Sequence, residues 1–302
     1  MEATVEQDRV ASGRPKSRTV LTRVLWAVGL VSIAAWVLFN IAMLIWVALN
    51  SFRGGQAIFS KPFELPTSFD FVNYGNAWFR SELGSGFVNS VLLVSLGAIV
   101  TILLAAMAAY ALSRIPRKSA EPLTLLFALG LGVPLQAVII PLWVFMNSIS
   151  SAAFFVFGWW DDRLSLFLVY VATSLPFAVF LLTGFFRSMP TEVEEAASLD
   201  GASSFQTFVH VVWPMARAGL TTAFILTVVG LWNETLLALV FITDNDKQTL
   251  PQALLSLYGA MQQTADWGGL FAGIMIVVVP TIIAFLFLGR RITDGMSLGI
   301  GK

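Results

Sequence analysis

Six apolar runs recur along this 302-residue chain, each long enough to cross a bilayer. A helix needs ~20 apolar residues, rising ~1.5 Å each, to span a hydrocarbon core ~30 Å thick. The runs cover 24–49, 88–112, 122–146, 164–186, 218–242 and 268–289, nearly half of the sequence. They are continuous rather than alternating, which predicts helices and not barrel strands. Charged residues make up 12% of the chain and hydrophobic ones 57%, where a soluble domain carries ~25% charge. One soluble core cannot bury that much apolar surface. The expected fold class is therefore an all-α polytopic membrane protein with six transmembrane helices. The same composition excludes disorder, and 18 Lys and Arg balanced by 18 Asp and Glu argue against a nucleic-acid partner.

The first run exceeds the ~7–15-residue apolar core of a cleaved signal peptide, and Ser51-Phe52-Arg53 follows it instead of a small-x-small cleavage site. Orientation follows from Lys and Arg, which collect on the cytoplasmic side. Thirteen of the 18 lie in the N-tail 1–23, the 113–121 and 187–217 loops and the C-tail 290–302. Both termini are therefore expected in the cytoplasm, on either side of a membrane region at 24–289.

Little in the chain offers covalent chemistry. It has no Cys and one His, His210, so thiolate catalysis and Cys- or His-rich metal sites are not expected. His210 reads as a surface or contact residue. Asp161-Asp162 reads as a solvated edge, and Gly268-Gly269 as a packing contact or span start. No G-x-x-x-x-G-K-[ST] phosphate loop is present, so ATP hydrolysis by this chain is not expected. The polar groups inside spans are the candidate lining of a solute path: Gln136, Asn147, Ser174, Trp232, Asn233 and Glu234. Glu234 is either a functional charge or a structural pair near a span end. The aromatic 147–163 segment is expected as an interfacial or re-entrant anchor, with an external docking surface as the alternative. Leu254, Leu255, Leu257, Tyr258 and Met261 form an amphipathic stretch expected on the membrane surface.

The 187–217 loop is the richest segment. Thr191 with Glu194 three residues later is a capping-box pattern, and Gly201 is a helix stop. Ser203 or Ser204 can cap a second helix, in which Phe205, Phe208, Val209 and Val212 share one face before Pro214 ends it. A hairpin over 191–213 results, whose apolar face needs either the membrane surface or a partner protein.

Glu195-Ala196-Ala197, Asp200-Gly201 and Pro214 resemble the E-A-A-x-x-x-G-x9-I-x-L-P loop of ABC importer permeases, with Val211 and Trp213 in place of Ile and Leu. Ala109-Tyr110-Ala111-Leu112-Ser113-Arg114, Trp232-Asn233-Glu234 and Thr249-Leu250-Pro251 are similar to the carbohydrate-uptake branch, in particular its maltose-permease-type second subunit. The resemblance covers about residues 70–302. The C-tail departs from the family's usual run at Met296 and Ile300.

The resemblance implies a type I ABC importer permease in a prokaryotic inner membrane. It implies a second, homologous permease, two ATPase subunits that bind ATP and Mg, an extracytoplasmic solute-binding protein and a sugar substrate. No cofactor is expected on this chain. By resemblance, Glu195, Ala196, Ala197, Asp200, Gly201, Phe205 and Pro214 contact the ATPase subunit, and Gly299 and Lys302 of the C-tail reach it. A polyol, glycerophosphodiester or polyamine is the alternative substrate class. A secondary transporter would need a charge relay, for which Glu234 alone is available.

Overall fold

The computed structural model describes residues 20–300, all of whose regular structure is helical. The expected N-tail up to residue 19 and Lys302 lie outside the described residues, and Gly299 falls in the last helix. The chain forms two units, one ending at Leu49 and one beginning at Asn50.

The first unit holds most of α1 (Val20–Asn50). Its side chains from Arg23 to Ile45 are exposed, and no window of it is buried. A helix apolar on every face is stable in lipid or against other apolar helices. Its one amide in mid-helix, Asn40, donates back to the Trp36 carbonyl at 2.7 Å.

In the second unit, α2 (Gly55–Ser60) and α3 (Val72–Gly75) precede α4 (Leu83–Arg114). Then come α5 (Arg117–Gly132), α6 (Leu135–Phe157) and α7 (Asp162–Arg187). Proline and glycine set these limits. Pro134 cannot donate and holds Val133 extended (φ −78°, ψ 115°), so the expected 122–146 span is divided between α5 and α6. The 147–157 segment has no breaker and continues α6 as helix, ending only at Gly158 (φ +75°). That segment is therefore not a loop; Phe154, Phe155 and Phe157 stand exposed on the last turn of a spanning helix.

The expected 218–242 span is also interrupted. It becomes α11 (Arg217–Trp232), a three-residue break, and α12 (Leu236–Phe241). Among the described residues, five helices, α1, α4, α6, α7 and the final α14 (Trp267–Ile300), are long and apolar enough to cross a membrane alone. The segment 204–215 joined to α11 through a 77° bend makes a sixth candidate.

The helices α4 and α7 form the spine. Gly97, Ala98, Ala105, Ala106 and Ala109 on α4 and Ala178 on α7 are buried, and such small residues allow close helix packing without side-chain strain. At the start of α4, Asn89 donates to the carbonyls of Asp246 and Gln248 (3.0 Å each) and accepts from Arg163 (3.1 Å). Arg163 also donates to Asp161, whose side chain caps α7 by accepting from the Arg163 backbone N–H at 2.8 Å. That side-chain bond from Arg163 holds the Asp161 carboxyl below its usual pKa, against the opposing effect of burial. Asp161 is thus a structural cap rather than a solvated edge.

The amphipathic stretch forms α13 (Leu250–Thr264). Leu250, Leu257 and Met261 are buried with Leu83 of α4 and Leu270 of α14, so its apolar face packs on the protein itself, while Leu255 and Tyr258 stay exposed. Gly268 is a packing contact. A Cβ there would fall on the Arg53 carbonyl and on the Asn73 amide, which itself donates to the Ser51 and Arg53 carbonyls at 2.8 and 3.1 Å. Gly268→Ala is expected to destabilise the protein by about 2 kcal/mol, because backbone must move to admit one methyl. Thermal unfolding of the detergent-solubilised protein checks this; an unchanged midpoint would mean that the contact yields freely.

Candidate coupling hairpin and the interrupted helix

The hairpin begins where α7 ends. Its first arm is α8 (Glu192–Leu199). Gly201, at φ +82°, stops this arm as anticipated: its N–H bonds the Ser198 carbonyl (3.1 Å), and the Ala202 N–H bonds the Ala197 carbonyl (3.0 Å). This paired closure satisfies the last carbonyls of α8 and requires a residue tolerant of the left-handed region.

The second arm begins at Ser203, which is the cap. Its hydroxyl accepts from the Gln206 N–H (3.3 Å), and its own N–H donates to the Gln206 side chain (2.8 Å). The arm runs through α9 (Ser204–Thr207), a π-helical turn over 208–212 and α10 (Trp213–Met215). The extra residue of the π turn divides the expected four-residue apolar face. Phe208 and Val212 are buried, with 6% and 0% exposure, whereas Phe205 is 69% exposed. Pro214 does not end the arm. It sits in the first turn of α10, where its missing N–H is tolerated, and the chain bends at Ala216 instead (φ −80°, ψ 2°).

Glu194 does not complete a capping box with Thr191, whose side chain makes no capping bond. It turns inward. Both its oxygens accept from Arg114 Nε at 3.0 Å, and Tyr110 Oη donates to it at 2.9 Å. Arg114 also donates to the carbonyl of Phe186, in the last turn of α7, at 3.0 Å. The Tyr110 ring packs on Phe208 at 5.0 Å and on Phe186 at 5.9 Å. Sequence reasoning noticed Tyr110 and Arg114 only as part of a resembling segment and gave Glu194 a local role; their distance along the chain hid the contact.

Of the expected docking residues, Glu195, Ala196, Asp200, Gly201 and Phe205 are exposed, while Ala197 and Pro214 are half-buried. Leu199, which sequence reasoning did not single out for contact, is 89% exposed beside them. The tip therefore presents Leu199 and Phe205 around a left-handed glycine, with Glu192 and Glu195 exposed in the first turn of α8.

The second feature is the break after α11. Trp232 donates to the Val277 carbonyl of α14 at 3.4 Å, and its ring meets Phe87 edge-on at 5.9 Å. Asn233 is exposed and donates to the Val229 carbonyl at 2.8 Å. Glu234 accepts from the N–H groups of Leu237 (2.8 Å) and Ala238 (3.3 Å) at the start of α12, and from Tyr170 Oη of α7 (3.2 Å). Glu234 thus caps the start of α12. Ser174 lies one turn beyond Tyr170 on α7 and is half-buried. Gln136 is exposed in the first turn of α6.

Residues 101–294 match the family described as binding-protein-dependent transport system inner membrane component. The chain is 37% identical over 264 residues to the diacetylchitobiose uptake system permease protein NgcG of Streptomyces coelicolor, covering 87% of this chain and 85% of that protein. It is 32% identical over 239 residues to the trehalose transport system permease protein SugB of Mycobacterium tuberculosis, covering 79% and 84%. The fold matches a chain in the crystal structure of a bacterial ABC transporter involved in the import of the acidic polysaccharide alginate. The TM-score is 0.73 at 22% identity, over 90% of this chain and 98% of that one.

Proposed function

The chain belongs to the binding-protein-dependent transport system inner membrane component family, and from that membership we propose that it is a permease subunit of an ATP-driven importer of a di- or oligosaccharide. It has the ABC importer permease fold and is a multi-pass protein of the inner membrane. The relatives are named for uptake of diacetylchitobiose and trehalose, which supports an uncharged, hydroxyl-rich substrate class.

The observation that carries the mechanism is the hairpin. Its tip exposes Leu199 and Phe205, an apolar pair on an otherwise polar and acidic turn, as a protein docking surface would. An ATPase subunit seated there supplies the energy. When ATP closes two such subunits, the docked hairpins move with them and the spans rock from inward- to outward-facing, opening the path to a binding protein that delivers the sugar. ATP can drive this only because the closed ATPase pair binds one permease state better than the other. In this reading the C-tail, with Gly299 and Lys302, extends the same contact, and a second, homologous permease completes the path. ATP and Mg sit on the ATPase subunits, and this chain holds no cofactor. Gln136, Ser174, Trp232, Asn233 and Glu234 supply the hydrogen-bonding and stacking groups that line the path.

The test is reconstitution of this chain with its co-purifying subunits in proteoliposomes, with the ligand of the binding protein identified by mass spectrometry. Uptake that requires both internal ATP and the binding protein is expected. Accumulation driven by an ion gradient without ATP would replace the importer with a secondary transporter. A polyol, glycerophosphodiester or polyamine in the binding protein would change the substrate class alone.

A further inference from the structure

Glu194 and Glu195 are adjacent, yet the fold treats them oppositely. Consecutive residues of a helix do not share a face. Glu195 is exposed and makes no ion pair among the described residues. The Glu194 side chain is 14% exposed and its Arg114 partner 20%, and both of its oxygens already accept hydrogen bonds, from Arg114 and Tyr110. A carboxylate so saturated has little left to offer an incoming subunit, whereas Glu195 is free to meet one.

The geometry points to a division of labour: Glu195 belongs to the docking surface, and Glu194 with Arg114 and Tyr110 forms a clamp that carries movement of the docked hairpin into α4 and α7. This inference rests on the importer reading above. Without the clamp the first arm is held by its chain ends, at the Ser188–Thr191 turn and the Gly201 stop, and by its packing on the second arm, with no ion pair to the spans among the described residues. A push at the tip would be absorbed in those two turns. With it, α8 is tied by two nitrogens of one guanidinium, Nε to both Glu194 oxygens and Nη2 to Oε1, a two-point contact that resists both sliding and rotation. The same guanidinium holds the Phe186 carbonyl, so a displacement of α8 reaches α4 and α7 together. Tyr110 extends the tie to the second arm through Phe208. These three are positioning residues, since none touches the transported solute or ATP.

The experiment compares the assembled transporter carrying Glu194→Ala, Arg114→Lys, and the exchange Glu194→Arg with Arg114→Glu. Three quantities are read: ATPase subunits retained on purification, solute transported per ATP hydrolysed, and hydrogen exchange of the 192–200 amides. Glu194→Ala is expected to retain its ATPase subunits and to hydrolyse ATP, while solute moved per ATP falls by about tenfold, equivalent to ~1.4 kcal/mol of lost coupling. Arg114→Lys keeps the charge but loses the fork, and should fall between. The exchanged pair should recover most of the loss. Loss of the ATPase subunits in Glu194→Ala would put Glu194 in the docking surface and overturn the clamp, as would an unchanged transport-to-hydrolysis ratio. Hydrogen exchange needs neither ATP nor solute, so it tests the clamp even where the importer reading fails. Exchange faster by about tenfold over 192–200 is expected in Glu194→Ala, and unchanged exchange there overturns the clamp.

Discussion

Alanine at Glu234 is expected to lower stability by about 3 kcal/mol, the largest loss from any one side-chain truncation in the break after α11. Helix α12 starts in an apolar, largely packed setting, so the N–H groups of its first turn have little water to turn to. Glu234 supplies their acceptors, bonding Leu237 and Ala238, and at the same time takes the hydroxyl of Tyr170. Truncation leaves three donors unpaired at once. A buried donor left unsatisfied costs about 1–3 kcal/mol, and the half-buried position of Glu234 lets some solvent return, which sets the figure near the lower end of the sum. Gln retains one acceptor oxygen and should lose roughly half as much. Tyr170→Phe removes a single donor and should lose about 1 kcal/mol. Thermal unfolding in one detergent orders the four proteins: wild type, Tyr170→Phe, Glu234→Gln, Glu234→Ala. If alanine at 234 were no worse than phenylalanine at 170, the capping account of the break would be wrong.

That break also shows what could be read from the sequence and what could not. Apolar runs marked where helices cross, because bilayer thickness imposes a length that any window along the chain can detect. Local caps were equally legible: the bonds at Ser203 and Gly201 join residues three to five apart, and both do in the fold what their patterns predict. Interruptions inside a run were not. Pro134 and Glu234 lie in apolar surroundings, and a hydropathy window averages over them, although proline's effect on Val133 is itself local. Side-chain bonds of long reach were the least legible. Thr191 and Glu194 satisfy a local capping pattern, but Arg114, 80 residues away, competes for the same carboxylate and wins with a charge-assisted fork. The same holds for α13, whose amphipathic face fits a membrane surface as well as a protein core; only Leu83, Leu250 and Leu270 meeting in space decides between them. The candidate docking tip is legible because its motif is contiguous, while Tyr110 and Arg114, which bond its first arm, lie far from it along the chain.

The tip itself yields the sharpest functional contrast. Gly201 sits at φ +82°, and an added Cβ would meet nothing within 4 Å. Two effects of substitution therefore separate. Gly201→Ala has only backbone strain, about 1–2 kcal/mol, in a turn that the Ser198 and Ala197 carbonyls still hold. Its complex should assemble and transport at a rate within about threefold of wild type, since strain of that size leaves most hairpins correctly folded. Gly201→Arg has the same strain and also projects a long cation into the open space beside Leu199 and Phe205. An interface centred there loses close approach at its middle, where truncations and intrusions cost about 2 kcal/mol or more, so uptake should fall by over about tenfold and the ATPase subunits should no longer co-purify. The comparison matters more than either variant alone. Equal losses in Ala and Arg would mean that the turn conformation, not access to the tip, limits transport. Normal ATP-driven uptake in Gly201→Arg would show that no partner seats on this surface, and the coupling role of the hairpin would have to be given up.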